Sequence, residues 1–274
     1  MTLFARLQAQ FDGLRAVDAA FAEMLQRLDP QTDPQVLTGA ALASWAVGAG
    51  HAAFDPARPQ LLTSAVDGWP DAPSWSEALQ SSPWVGVPNA DEVAPDCVPL
   101  VFENGLLYLR RYREYERRLA AGLRRIAAYE PPTSDPDAMA PLFAALFPEA
   151  RAGDRQARAA ALSLLRSLLL ITGGPGTGKT ATIARLLLLL IADGQRAGSA
   201  PLRIALAAPT GRAAERMAES LRLAAAQLHA ATDIDRAGCD ALPVSASTVH
   251  RLLGAIPGNP QFRHRADHPL PYDV

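Results

Sequence analysis

An α/β domain preceded by a small, mainly helical domain with a β-hairpin is the fold class that the sequence predicts. Three observations carry it. After residue 138, helical periodicities alternate with short, purely apolar runs. A glycine-rich octapeptide, Gly173 to Thr180, stands between one of those runs and a long helical stretch. Before residue 130 the pattern is different: helical periodicity, a proline-rich stretch, then two apolar runs around Asn104-Gly105.

The elements follow in chain order. Phe4, Leu7, Phe11, Leu14, Phe21, Leu25 and Leu28 recur at helical spacing, which predicts one helix over 3–28, ended by Asp29-Pro30. A second helix is expected from Gln35 to Val47, closed by Gly48 and Gly50. The stretch 53–99 is rich in proline, holds Trp69, Trp75 and Trp84, and reads as short helices and loops. Asn104-Gly105 supplies the positive φ angles of a type I′ turn, so 100–103 and 106–109 form a hairpin. A helix follows with Tyr112, Tyr115, Leu119 and Ile126 on one face and Arg113, Arg117, Arg118, Arg124 and Arg125 on the others. That basic surface reads either as the solvated side of a packed helix or as a contact for a partner or nucleic acid.

Residues 130–138, with three prolines and no periodicity, are expected to link a domain of residues 1–129 to one of residues 139–274. In the second domain, helices are expected at 141–147, 154–166, 180–193 and 213–230. Leu168 to Thr172 and Leu202 to Ala207 read as buried strands.

Composition bounds the function. The 274 residues carry a formal charge of -2, so any nucleic-acid contact must be a local patch. Lys179 is the sole lysine of the chain, placed where a compact ammonium suits and a planar guanidinium does not. The two cysteines, Cys97 and Cys239, lie far apart without metal-binding spacing. No apolar run approaches the ~18 residues of a membrane span, and the amino terminus does not resemble a signal peptide. A cytoplasmic chain with no membrane contact is expected.

Gly173, Gly174, Pro175, Gly176, Thr177, Gly178, Lys179 and Thr180 fit G-x-x-x-x-G-K-[ST]. The glycines let consecutive backbone N–H groups converge on phosphates, and the following helix aims its positive end at the same anion. The motif predicts ATP with Mg²⁺, with Lys179 as the catalytic cation on the β and γ phosphates and Thr180 as metal ligand. Two further segments carry candidate chemistry. Pro209, Thr210, Gly211 and Arg212 follow the second apolar run, where exposed amides and a hydroxyl suit either a helix cap or a phosphodiester backbone. Thr248 and His250 open another helix; in isolation the histidine reads as structural.

ITGGPGTGKT, LAAPTGRAAERMAESL and ASTVHRLLG, in that order, resemble motifs I, Ia and Ib of the RecD helicase family, a component of the RecBCD exonuclease V complex. PLVFENGLLYLRRYREYERRLA and the LFPEA segment are similar to the same family, so the resemblance covers nearly the whole chain and is weakest over 53–96. It implies a RecA-like first helicase domain and a 5′ to 3′ ATP-driven motor on single-stranded DNA. It implies work with RecB and RecC on double-strand DNA ends in recombinational repair, with the small first domain docking onto RecC. By the same resemblance, Gln156 reads the adenine edge, as a glutamine at this place does in superfamily one. Pro209 to Arg212 with Thr248 and His250 would line the DNA.

In that family the acidic Walker B strand begins near Pro271 to Val274. The remaining motifs, the arginine finger and a second RecA-like domain lie beyond it. On that basis the chain reads as an amino-terminal fragment, poorly stable and with negligible hydrolysis alone. A non-catalytic module for nucleotide binding and subunit docking is the alternative. An unrelated P-loop ATPase or kinase fits APTGRAA and STVHRLLG poorly.

Overall fold

Thr2 caps the first helix, its hydroxyl accepting from the Ala5 amide at 3.2 Å. In the computed structural model α1 spans Leu3–Gln10 and α2 spans Ala16–Leu28, two helices where the periodicity predicts one. The structure describes residues 1–274 except 133, 175, 232–240, 244 and 260. The break has a local cause. Asp18 accepts from the Arg15 amide at 3.0 Å and from its guanidinium at 2.9 and 2.7 Å, so a new helix start is stabilised at Arg15. Phe11 and Leu14, in the connecting turn, still pack on the same core, which is why the apolar spacing runs through the break.

The described chain divides into two compact units, Met1–Arg124 and Arg125–Val274. The centre of the first is α3 (Pro34–Gly48), with Pro34 at its first turn and Asp33 accepting from the Gln35 amide at 2.7 Å. Val36, Leu37, Ala40 to Ala43 and Ala46 are buried in it. At Gly39 an added Cβ would stand 2.9 Å from Leu107, so small residues let α3 lie close to the sheet. A 3₁₀ turn at Pro59–Leu61 and α4 (Ala72–Gln80) occupy the proline-rich stretch. Trp75 is fully buried there, its indole N–H donating to the Gln35 carbonyl at 2.9 Å.

The hairpin forms as read, β2 (Leu100–Glu103) against β3 (Leu106–Leu109), with Asn104 at φ 51° and Gly105 at φ 78°. An unforeseen strand, β1 (Val85–Gly86), pairs parallel to β2 with Val85 opposite Leu100. Two residues are too few to show periodicity.

Helix α5 (Arg110–Ala127) corrects the expected partition of its faces. Arg113 and Glu114 are buried, whereas Tyr112, Tyr115, Leu119 and Ile126 are exposed. The guanidinium of Arg113 donates to Glu103 at 3.0 and 3.2 Å, to Glu114 at 2.8 Å, and to the Asn89, Ala90 and Glu92 carbonyls. A saturated guanidinium can be buried. Burial pushes the Glu114 carboxyl up, but the Ala94 amide, Arg113 and Arg117 outweigh it and bring its pKa down to about 2.

In the second unit α6 (Pro136–Leu146) starts five residues before the expected Pro141, inside the stretch read as a linker. Asp135 captures the Asp137 and Ala138 amides at 3.0 and 3.3 Å and Pro136 opens the first turn, which moves the start forward. Helix α7 (Arg155–Ser163) is capped by Asp154, and α8 (Lys179–Arg196) packs between α7 and α9 (Gly211–Ala231). Its Leu186 to Leu189 and Ile191 form the middle of the core with Leu146, Ala160 and Leu221.

Both expected buried strands are corrected. Leu168 to Thr172 is not a strand and not fully buried. Leu169 and Ile171 pack on the core, but Leu170 is 75% exposed. The segment keeps the period-two alternation of a strand without a ladder partner among the described residues. Of 202–207, only Ala207 lies in a regular strand, β4 (Ala207–Ala208), which pairs parallel to β5 (Ser247–Thr248). Upstream, the Ala205 amide donates to the Val274 carbonyl at 2.9 Å and Asp273 to the Arg203 carbonyl at 2.8 Å. Asp273 also holds the Arg203 guanidinium, which lowers its own pKa to about 2. Helix α10 (Val249–Leu253) follows β5 directly. The α/β P-loop domain and the helical, hairpin-bearing region before it are thus both present, with sheets smaller than the sequence suggests. Among the described residues, no helix is long and apolar enough to cross a membrane. Cys97 is a free, exposed thiol, and Cys239 lies outside the described residues.

Candidate functional site

The glycine-rich loop leads into α8 through Gly178, whose φ of 76° makes it the left-handed residue before the first turn. Lys179 begins the helix, one residue earlier than expected. Its ammonium folds back over the loop and donates to the Gly173 and Gly174 carbonyls at 2.7 and 2.6 Å, with Thr177 Oγ1 at 3.4 Å. Thr177 in turn donates to the Gly174 carbonyl at 3.0 Å. The sole lysine therefore closes the loop on itself. These are weak-field carbonyl partners that an anion of two or more charges can displace.

Gln156, on the first turn of α7, donates from Nε2 to the Thr177 carbonyl at 3.1 Å. A Cβ on Gly178 would stand 2.7 Å from that same amide nitrogen. The residue 22 positions before Gly178 is thus brought against the loop. Gly174 and Gly176 face open space at the Cβ position, so the loop backbone is bare where a ligand would approach. Pro175 lies outside the described residues. The Thr180 side chain is half-buried in the first turn of α8, and among the described residues it has no hydrogen-bond partner.

A groove of about 790 Å³ adjoins the loop, lined by Phe147, Glu149, Gln156, Thr172, Lys179 and Arg185, among others. Phe147 and Arg185 were not singled out from the sequence. The Arg185 guanidinium lies 5.0 Å from the Phe147 ring, and its Nε is buried without a partner. The readable signal was spacing: Thr182 and Arg185 follow Lys179 at three-residue steps on one face of α8. Thr180 falls outside that lining.

Bare glycine backbone, an ammonium held by groups of its own loop, a threonine hydroxyl unpartnered among the described residues and a helix amino terminus together fit a nucleoside triphosphate with a divalent ion. Lys179 and the loop amides would hold its phosphates, and Thr180 would take the metal.

The remaining candidates share one edge. In the parallel pair β4–β5, Ala208 stands opposite Thr248. Pro209 to Arg212 and Thr248 to His250 therefore leave adjacent strands side by side. Thr210 caps α9, its hydroxyl accepting from the Ala213 amide at 3.3 Å, and Thr248 caps α10 through Arg251 at 3.3 Å. Pro209, Thr210, Gly211 and His250 are exposed, and the His250 ring lies 5.9 Å from Phe262. Two helix amino termini thus open on the same side, a geometry suited to phosphodiester oxygens.

Comparison with known proteins agrees with both units. Residues 156–274 match the AAA domain family, and residues 10–108 match the RecBCD enzyme subunit RecD, N-terminal domain. The RecBCD enzyme subunit RecD of Mycobacterium tuberculosis is 38% identical over 262 residues, 94% of this chain and 41% of that protein. That of Mycolicibacterium smegmatis is 37% identical over 270 residues, 98% of this chain and 45% of that protein. The ATP-dependent RecD2 DNA helicase of Deinococcus radiodurans is 34% identical over 172 residues, 62% of this chain and 19% of that protein. The chain thus spans less than half the length of these relatives.

Proposed function

We propose that this chain, which belongs to the RecD family, supplies the nucleotide-binding end of an ATP-driven 5′ to 3′ DNA helicase subunit. The observation that carries the proposal is the closed phosphate loop. Lys179 is held by the Gly173 and Gly174 carbonyls, and Gln156 is hydrogen-bonded to Thr177 in the same groove. ATP with Mg²⁺, bound and then hydrolysed, would supply the free energy that such a motor converts. The chain's own part is to exchange internal hydrogen bonds for ligand ones. Lys179 would leave the glycine carbonyls for the β and γ phosphates, Thr180 would offer its hydroxyl to the metal, and Gln156 would turn from Thr177 toward the base.

On this reading the DNA strand runs over Pro209, Thr210, Gly211 and Arg212 and over Thr248 and His250, whose backbone amides and hydroxyls meet phosphates. The subunit assembles with RecB- and RecC-like partners and works on DNA ends in double-strand break repair, in the cytoplasm. The domains are residues 1–129 for docking and 139–274 for the motor, joined by 130–138.

The test is ATPase activity, with and without single-stranded DNA, of this chain and of a version extended to the length of its relatives. DNA stimulation in the extended form is expected, with loss on Lys179→Ala. An extended form that hydrolyses ATP equally well without DNA would sink the helicase reading and leave a nucleotide-dependent docking module.

A further inference from the structure

The arginines of α5 divide into two groups. Arg110 pairs with Asp96 at 2.8 Å, Arg113 with Glu103 and Glu114 at 3.0 and 2.8 Å, Arg117 with Glu114 at 2.9 Å and Arg124 with Asp91 at 2.7 Å. Arg111, Arg118 and Arg125 have no carboxylate partner among the described residues, and all three are exposed. Arg111 instead donates to the Tyr115 hydroxyl at 2.6 Å. The three unpaired arginines are seven residues apart, so they form one line along the helix.

Beside that line runs an exposed apolar stripe along α5. Tyr112 is 39% exposed, Tyr115 47% and Leu119 62%, and Ile126 continues the stripe at 43%. The steps from 112 to 115, 119 and 126 are three, four and seven residues, so with Gly122 at the intervening position they follow the seam of a helix that packs on another helix. An apolar stripe bordered by unpaired cations at heptad spacing is one half of an interface, with its charges at the flanking positions.

We infer that the outward face of α5 seats an amphipathic α-helix of a partner subunit, apolar along its own seam and carrying one carboxylate per heptad opposite Arg111, Arg118 and Arg125. A second copy of this chain does not fit, because it would set arginine against arginine with Glu116 as the acid on this face. Nucleic acid fits less well: Leu119 and Ile126 offer nothing to phosphates, and Glu116 repels them from the opposite border. The inference rests on the chain being one subunit of a larger enzyme.

The test uses the full chain with purified RecB- and RecC-like subunits, its affinity measured over a range of salt concentrations. Leu119→Asp is expected to weaken assembly at least tenfold. Arg111→Gln with Arg118→Gln and Arg125→Gln is expected to weaken it several-fold and to flatten its salt dependence, with ATP affinity unchanged in both variants. Assembly as tight as wild type in both variants overturns the inference and leaves the subunit reading intact. A wild-type chain that binds neither subunit overturns both. Loss of single-stranded DNA binding instead of subunit binding assigns the face to nucleic acid and overturns the inference. So does a fall in melting midpoint of the isolated Leu119→Asp chain as large as that of a core substitution, since the face would then be covered within the chain.

Discussion

The first unit turns its charges inward, and the second leaves its key charge on the surface. Arg113 is buried and saturated by two carboxylates and three carbonyls, and Asp18 is buried against Arg15 and Ser44. In the second unit, among the described residues, Lys179 holds two carbonyls and a hydroxyl of its own loop, Thr180 has no hydrogen-bond partner, and Arg185 keeps a buried Nε without one. A satisfied network fixes one conformation. A network closed on weak acceptors is ready to exchange them for a ligand. On the proposed function, the difference separates residues that hold a scaffold from residues that bind the nucleotide.

The comparison can be broken most directly at its two central cations. Lys179→Ala should lower ATP affinity by about 100-fold or more, since a charged hydrogen bond contributes roughly 1.5–3 kcal/mol and two or more are lost. The melting midpoint should stay near wild type, because the loop is exposed. Isothermal titration and a thermal melt check the pair, and retained affinity would remove the phosphate-loop assignment. Arg113→Ala should do the reverse. Leaving the partly buried Glu103 without its cation and Glu114 with Arg117 alone should cost about 3 kcal/mol in urea unfolding, with ATP affinity of the folded protein unchanged.

Two glycines with nearly the same φ sharpen the contrast. Gly178→Ala, at φ 76° and with a Cβ 2.7 Å from Gln156, should cost roughly 1–2 kcal/mol of strain and reduce nucleotide binding. Gly105→Ala, at φ 78° with nothing within 4 Å, should cost about 1 kcal/mol of stability and leave nucleotide binding alone. Equal effects on binding from both would show that the contact with Gln156 is immaterial.

The smallest effect is pH dependence. Glu114 has a folded pKa of about 2 against an ordinary value of 4.5, so its contribution is complete above 4.5 and is lost as pH falls toward 2. Burial should make this acid weakening resistant to salt. Asp273, also near 2 but on the surface beside Arg203, should contribute little, and that little should vanish in salt. Urea melts at pH 3 and pH 6, with and without added salt and with Glu114→Gln as control, separate the two.

Much of this molecule was legible because its signals are local. Asn104-Gly105 demands its turn from backbone sterics alone, and Gly173 to Thr180 carries the proposed anion site in glycine freedom and one ammonium. The misread elements depend on partners far away in sequence. Periodicity carried through Phe11 and Leu14 and hid the break between α1 and α2. On α5 the apolar residues were expected to mark the packed face, yet Arg113 is buried because Asn89, Ala90, Glu92 and Glu103 converge on it. Leu168 to Thr172 has the alternation of a strand, but a strand exists only where a neighbour supplies its hydrogen bonds.

The sequence by itself determined the local chemistry: the turn glycines, the helix caps and the lysine of the phosphate loop, because each depends on backbone angles and donors a few residues apart. Tertiary structure decided which cation is buried, that Gln156 meets Thr177 across 21 residues, and that Thr210 and Thr248 share an edge. Those outcomes depend on closing long loops around a core, and the reward for closure lies in burial and hydrogen bonds that only the assembled chain provides.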